Sequence, residues 1–240
     1  MKIIGIIPAR GGSKSIRHKA IRPFCGKPLI AWSIESAKKS KALDRIIVFT
    51  DSPQIARIAR KYGAEVPFFE PAELADGIVR IELVFRYVYE QLKAREGYVA
   101  DAIAILMPTN PSRQPFHITK AVALFKKGNA DSIVSMNETP ANHTPYWTFT
   151  RHETKGARLF GDIHFKHILN RRQDFPQQCY ARNDLIYVLK PKNLYAKPPS
   201  LYGKKMEIYE TNPVYEIDIN TLEEWMLAEI RCKALRKRQP

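Results

Sequence analysis

Directly after the apolar run Ile3 to Ile7 and the dipeptide Pro8-Ala9, the chain reads Arg10-Gly11-Gly12-Ser13-Lys14. These residue types at this spacing suit the holding of a polyphosphate. Glycines lacking Cβ let a turn adopt positive φ and aim several N–H groups at one anion. The fixed guanidinium fork of Arg10 and the mobile ammonium of Lys14 add full positive charge. Arg10 and Lys14 are the expected grips on the oxygens of such a polyphosphate. Ala9, Ser13 and the N–H groups of Gly11 and Gly12 complete the expected nucleotide loop, with Lys19 a further cation for it. It is not a Walker loop, because the glycines are adjacent and no Gly-Lys-Ser/Thr follows. The competing account of a basic glycine turn is an ordinary strand-to-loop connection.

A loop of this kind works only where a sheet aims it into a crevice. Short Ile- and Val-rich runs at Ile3 to Ile7, Arg45 to Thr50, Ala102 to Leu106 and Ser132 to Ser135 read as strands buried on both faces. Segments of helical spacing at Leu29 to Lys39, Pro53 to Tyr62, Ile78 to Ala94 and Phe116 to Lys127 separate them. Asp51-Ser52-Pro53 is a helix start and Gly63 a helix stop. This alternation predicts one α/β domain over residues 1–240, Rossmann-like, with a mostly parallel sheet, flanking helices and a ligand site beyond the carboxyl ends of the strands. From Asn137 to Gln178 the alternation breaks down into a lobe rich in Pro, His and aromatic residues. Strand-like Leu185 to Leu189 follows, then a Pro-rich connection, strand-like Tyr215 to Ile219 and a closing helix from Leu222.

Charge narrows the partners without choosing one. Lys and Arg number 39 against 24 Asp and Glu, a net charge of +15. That balance favours anionic ligands. No aromatic-interleaved basic motif or RNA-binding signature accompanies it, so nucleic acid is not the expected partner. The apolar runs fall short of the roughly 18 residues of a membrane span and form no signal peptide, so the expectation is a soluble, cytoplasmic protein. Cys25, Cys179 and Cys232, an odd number without metal-ligand spacing, predict no disulfide framework and no zinc site.

The motifs Ile7-Pro-Ala-Arg-Gly-Gly-Ser-Lys14, Arg22-Pro-Phe-Cys-Gly-Lys-Pro-Leu-Ile30 and Pro108-Thr-Asn-Pro-Ser-Arg113 together resemble those of the acylneuraminate cytidylyltransferases, the CMP-sialic acid synthetases. The likeness continues through Tyr62-Gly-Ala-Glu-Val-Pro67, Arg171-Arg-Gln-Asp-Phe-Pro176 and Asp218-Ile-Asn-Thr221. It implies transfer of CMP from CTP to a small acidic 2-keto sugar with release of pyrophosphate, on a Rossmann-like domain, with Arg10 and Lys14 as the catalytic cations at the β- and γ-phosphates, where charge builds on the departing pyrophosphate. It also implies a homodimer, in which the 137–178 lobe is a dimerisation element bringing a basic side chain, here Arg172, to the neighbouring site. A divalent ion would bridge the phosphates, and Asp218 with Asn220 is the expected Mg2+ site. An N-cap or turn carboxylate ahead of the last helix is the structural alternative for Asp218.

Departures from the family pattern fall on recognition. Asn220 stands for a second carboxylate, Ala20 for asparagine, Glu70 for an arginine associated with reading cytosine, Met107 for glutamine, Asn110 for serine. Met107 remains a nucleotide contact; Asn110, Arg113, Arg172, Arg182 and Asn183 are the expected grips on the acidic sugar. These departures keep open a different acceptor, a deoxyoctulosonate-like sugar acid or a phosphonate. They also keep open a non-catalytic descendant that binds nucleotide or nucleic acid.

Overall fold

The computed structural model describes every residue except Lys14, 76–78 and 238–240, and all side chains of the remainder but that of Ala75. The first Ile-rich run forms β1 (Ile3–Pro8) with its isoleucines fully buried, as a strand covered on both faces requires. A small hairpin of β2 (Pro23–Phe24) and β3 (Lys27–Pro28) follows the glycine loop and leads into α1 (Leu29–Ser40). Then come β4 (Arg45–Phe49) and α2 (Pro53–Lys61), whose first turn is capped by Ser52 Oγ accepting from the Ile55 N–H at 3.4 Å. Gly63, at φ 91°, ends it as expected.

Next are the short α3 (Ala72–Ala75), α4 (Ile81–Glu96), β5 (Ala102–Ile105) and α5 (Pro115–Lys127). The expected helix start at Ile78 lies outside the described residues. The chain continues through β6 (Ser132–Glu138), the lobe hairpin of β7 (Phe149–His152) and β8 (Gly156–Leu159), then β9 (Tyr180–Leu189), β10 (Met206–Glu210) and α6 (Leu222–Lys237).

The central sheet has six strands in the order β10-β6-β9-β5-β1-β4. All pairings are parallel except those of β9, which runs antiparallel to both β5 and β6. One apolar cluster packs α1, α2 and α5 on one face, and a second packs α4 on the other. A third, smaller cluster joins Ile16 of the glycine loop, Phe24, Leu29, Ile217 and Ile219 to Trp225, Ala228, Cys232 and Leu235 of α6. Phe24 and Trp225 meet edge to face, centroids 5.3 Å apart.

Two expectations change. Tyr215 to Ile219 is not a strand: Pro213–Tyr215 is a single 3-10 turn and 216–220 runs extended with no sheet partner among the described residues. The last strand is instead β10, an edge strand whose Met206, Glu207 and Ile208 are exposed and whose alternation is masked by its charges. The three cysteines are free. Among the described residues, no helix is long and apolar enough to cross a membrane.

Candidate functional site

The site begins where β1 leaves the sheet. Ala9 is buried, and its N–H donates to Phe49 O at 2.8 Å, which carries the pairing with β4 one residue past the strand. Arg10 is then free to project, and it is exposed. Asp51, at the end of the neighbouring strand, accepts the Gly11 N–H through Oδ1 at 2.6 Å. This clamp went unread in the sequence, where Asp51 served only as part of a helix start. The glycines also work differently from the expectation: neither Gly11 nor Gly12 adopts positive φ. Gly11 sits close to its neighbour, since a Cβ there would lie 3.1 Å from Ser52 Cβ, so that Ser52 would have to give by a few tenths of an ångström, while Gly12 faces open space. The Gly11 N–H is already taken by Asp51, so it does not join the expected set of anion donors. The left-handed turn of the loop falls at His18, φ 55°. Lys14 lies outside the described residues.

The opposite wall is the extended segment ahead of α6. Ile217 and Ile219 are buried in the third core, so by alternation Asp218 and Asn220 face outward. Two bonds fix the segment across the crevice. The Ile219 N–H donates to Thr109 O at 3.2 Å, and Lys19 Nζ donates to Ile219 O at 2.9 Å. Burial foremost lowers the Lys19 pKa, while Asp218 and Glu224 raise it and Arg10 lowers it, so these charges share one neighbourhood. Asp218 is not the N-cap of α6. That role falls to Thr221, whose Oγ1 accepts the Glu224 N–H at 3.2 Å while Glu224 Oε2 accepts the N–H groups of Thr221 at 3.0 Å and Asn220 at 2.6 Å.

Asn220 Nδ2 donates to Asp218 Oδ2 at 2.7 Å, which leaves Asp218 Oδ1 and Asn220 Oδ1 without a bond between them. Among the described residues no cluster of three or more His, Cys, Asp or Glu could hold a metal alone. The donor chemistry, one carboxylate and one amide oxygen, fits a magnesium ion that takes its remaining oxygens from water and substrate phosphates.

Between these walls lies a cavity of about 350 Å³, with Arg10, Ser13, Lys19, Met107, Thr109 and Asn220 among its lining. It adjoins a second of about 320 Å³ that shares Arg10 and Met107 and is bounded by Glu70, Leu74 and Val79. Glu70 is held by its N–H to Thr50 O at 2.9 Å. Burial, then the Asp51 charge, push its carboxyl up to about 7, partly offset by Arg10. At neutral pH this side chain can therefore both donate and accept.

The residues expected to grip the sugar separate into two groups. Asn110, Arg113 and Asn183 are buried and bonded internally. Arg113 is 2% exposed and donates to Leu185 O, to Ser33 Oγ at 2.9 Å and to Met107 O at 2.7 Å. Burial lowers its pKa to about 9, with Asp184 opposing. Asn110 accepts from Ser112 Oγ at 2.8 Å and donates to Asn183 O at 3.3 Å. Asn183 donates to Asn137 Oδ1 at 2.8 Å and Thr211 Oγ1 at 2.6 Å. These three shape the floor beneath Met107 rather than present polar atoms to a ligand. Arg182 and Arg172 are exposed. Arg182 stands near the start of β9, where an irregularity opposite Val134 to Met136 and the left-handed Asp184 interrupt the ladder. Arg172 lines a different cavity, of about 570 Å³, at the base of the lobe. His117, 1% exposed, accepts the Gln114 N–H at 3.0 Å as a cap of α5, and burial lowers its pKa to about 3, so it is a structural imidazole.

A mostly parallel sheet with cations and a carboxylate gathered beyond its strand ends defines an α/β nucleotide-binding protein. Solved structures share this fold. CMP:2-keto-3-deoxy-manno-octonic acid synthetase complexed with CTP superposes with a TM-score of 0.68 at 16% identity, over 99% of this chain and 100% of that one. The 4-diphosphocytidyl-2C-methyl-D-erythritol synthase of Anaerococcus prevotii gives 0.64 at 14%, over 99% of each. The cytidylyltransferase family pattern matches residues 4–231, and the chain belongs to that family.

Among curated relatives, the CMP-N,N'-diacetyllegionaminic acid synthase of Legionella pneumophila is 31% identical over 95% of both chains. The pseudaminic acid cytidylyltransferase of Campylobacter jejuni is 32% identical over 72% of both. N-acylneuraminate cytidylyltransferase A of Danio rerio is 31% identical over 95% of this chain but only 50% of its own length.

Proposed function

We propose that this cytidylyltransferase joins CTP to a sialic-acid-like 2-keto sugar acid, giving a CMP-sugar and pyrophosphate, with magnesium and as a homodimer. The observation that carries the reading is the meeting of Arg10, Lys19 and the Asp218-Asn220 pair around one crevice at the strand ends. The relatives' acceptors, legionaminic, pseudaminic and N-acylneuraminic acids, supply the substrate class.

In the reaction, the anomeric hydroxyl oxygen of the sugar forms a bond to the α-phosphorus of CTP. The bond from that phosphorus to the bridging oxygen breaks, pyrophosphate leaves with the electron pair, and the hydroxyl proton is lost to solvent. Arg10 and Lys19 hold the phosphate oxygens and oppose the charge that grows on the leaving group. Asp51 keeps the loop in place, and the buried Arg113 fixes the Met107 carbonyl at the floor. When bound, magnesium supplies further charge neutralisation at the phosphates; Asp218 and Asn220 would hold it.

Pyrophosphate release with each nucleoside triphosphate against a panel of sialic, legionaminic and pseudaminic acids tests the reading. The expected outcome is turnover with CTP and at least one nine-carbon acid. Lys19→Ala should lower kcat/KM about a hundredfold or more, the loss of one charge-assisted contact of roughly 3 kcal/mol. No release with any acid, or full activity in Asp218→Ala, sinks it.

A further inference from the structure

The closing helix α6 is apolar on two sides. Trp225, Ala228, Cys232 and Leu235 turn into the third core. At about 100° per residue, Ile230 falls opposite that face, with Met226 and Leu227 on either side of it. These two, Ile230 and Leu222 are each more than half exposed. A helix laid on one core shows a polar outer face to water, so four aliphatic side chains on the outer side of α6 mark a surface that lacks its cover.

Charge says what that cover is. The outer face begins with the exposed Glu223 and ends with the exposed Lys233 and Lys237. Glu223 and Lys237 form no ion pair among the described residues. The neighbouring acids are engaged: Glu224 accepts the N–H groups of Asn220 and Thr221, and Glu229 faces Lys233 at 3.9 Å and accepts the Cys25 N–H at 3.3 Å. An acidic start and a basic end suit the dipole of any single helix, but that dipole does not call for an apolar stretch between them. A second α6 laid antiparallel across a two-fold axis at Ile230 accounts for both. Ile230 meets Ile230, Leu227 faces the small Ala234, Met226 lies along the stem of Lys233, and Glu223 stands opposite Lys237. The two helix dipoles then oppose one another, and the patch is its own complement, as an isologous interface requires. An anionic bilayer would attract the lysines but would set Glu223 against its own charge, whereas a second copy opposes no like charges along this face.

We propose that the outer face of α6 is a self-association surface, which takes the α6 of a second copy in antiparallel register. It is separate from the lobe and from the nucleotide crevice. A single pair of short helices buries less than the roughly 800 Å² a side of a standard interface. The net charge of +15 on each copy also repels at long range. The contact is therefore open in dilute solution and closes as protein concentration rises.

The test is analytical ultracentrifugation of the full chain from dilute to near-millimolar concentration, a mass measurement that does not depend on whether the protein turns over CTP. The weight-average mass should climb with concentration beyond its dilute value, in the wild type and in a lobe variant, Phe160→Asp with Phe165→Asp, alike. Ile230→Lys sets two like charges together on the axis and should raise the dissociation constant about tenfold or more, with the melting temperature unchanged. Glu223→Lys and Lys237→Glu should each weaken association. An equimolar mixture of these two should recover it, because each supplies the charge that the other lacks. That recovery separates pairing across the axis from any loss of helix stability. A mass that stays flat with concentration overturns the proposal, as does association indifferent to Ile230→Lys. Phosphatidylglycerol vesicles that bind the wild type and not Ile230→Lys, in the absence of self-association, assign the face to lipid and overturn it too.

Discussion

Glu70 titrates late because its carboxyl is half out of water beside the Asp51 charge, and Arg10 draws it only partly back from about 7. The folded state then holds this proton more tightly than the unfolded chain, whose carboxyl titrates near 4.5. Its contribution to stability is full below that value and is lost as pH rises through about 7. Glu70→Gln should therefore flatten the fall in denaturant midpoint between pH 4.5 and 7, and a variant whose profile matches the wild type would place the titration elsewhere. At this scale the site was half legible. Arg10 and Asn220 line the crevice at the strand ends. Arg113 and Asn110 do not, because a polar residue after a strand end can turn outward into the crevice or back beneath its own loop. Which it does depends on distant partners such as Leu185 O and Asn183 O, which local sequence does not contain. Gly11 was singled out for backbone handedness, whereas what marks it in the structure is its close approach to Ser52.

Elements carry the next level of the argument. The 216–220 segment binds its two isoleucines into the core that also holds Ile16, so packing, and not a sheet, brings Asp218 and Asn220 to the glycine loop. Ile219→Ala should cost about 2–5 kcal/mol in denaturant unfolding and lower turnover by displacing Asp218, although Ile219 itself points away from the cavity. Loss of stability with turnover intact would show that the segment is not what positions Asp218. Thr221→Ala, which removes the cap of α6, should cost about 1 kcal/mol. The alternation from Tyr215 to Ile219 that suggested a strand was real as a burial pattern. Burial against α6 and burial in a sheet leave the same trace in sequence. The edge strand β10 left almost none, since it follows Lys204-Lys205 and includes two glutamates.

For the whole molecule, the sheet order places β6 and β9 side by side and antiparallel, with the lobe as the connection between them. Its Phe149, Phe160, Ile163 and Phe165 are 50%, 56%, 48% and 54% exposed, a concentration of apolar surface that supports the reading of the lobe as a contact between two copies. Phe160→Asp combined with Phe165→Asp should convert a dimer to a folded monomer by light scattering; persistence of the dimer would move the contact elsewhere. Since β6 ends and β9 begins at the end of the sheet where β1 delivers Arg10, the lobe rises from the rim of the crevice. It is attached as a detachable collar would be, at two adjacent stitches of one ladder. Evolution, or an engineer, can exchange that collar for another or trim it to a tight turn without unpicking a single parallel pairing, and each exchange would re-dress the mouth of the site while its floor stayed the same.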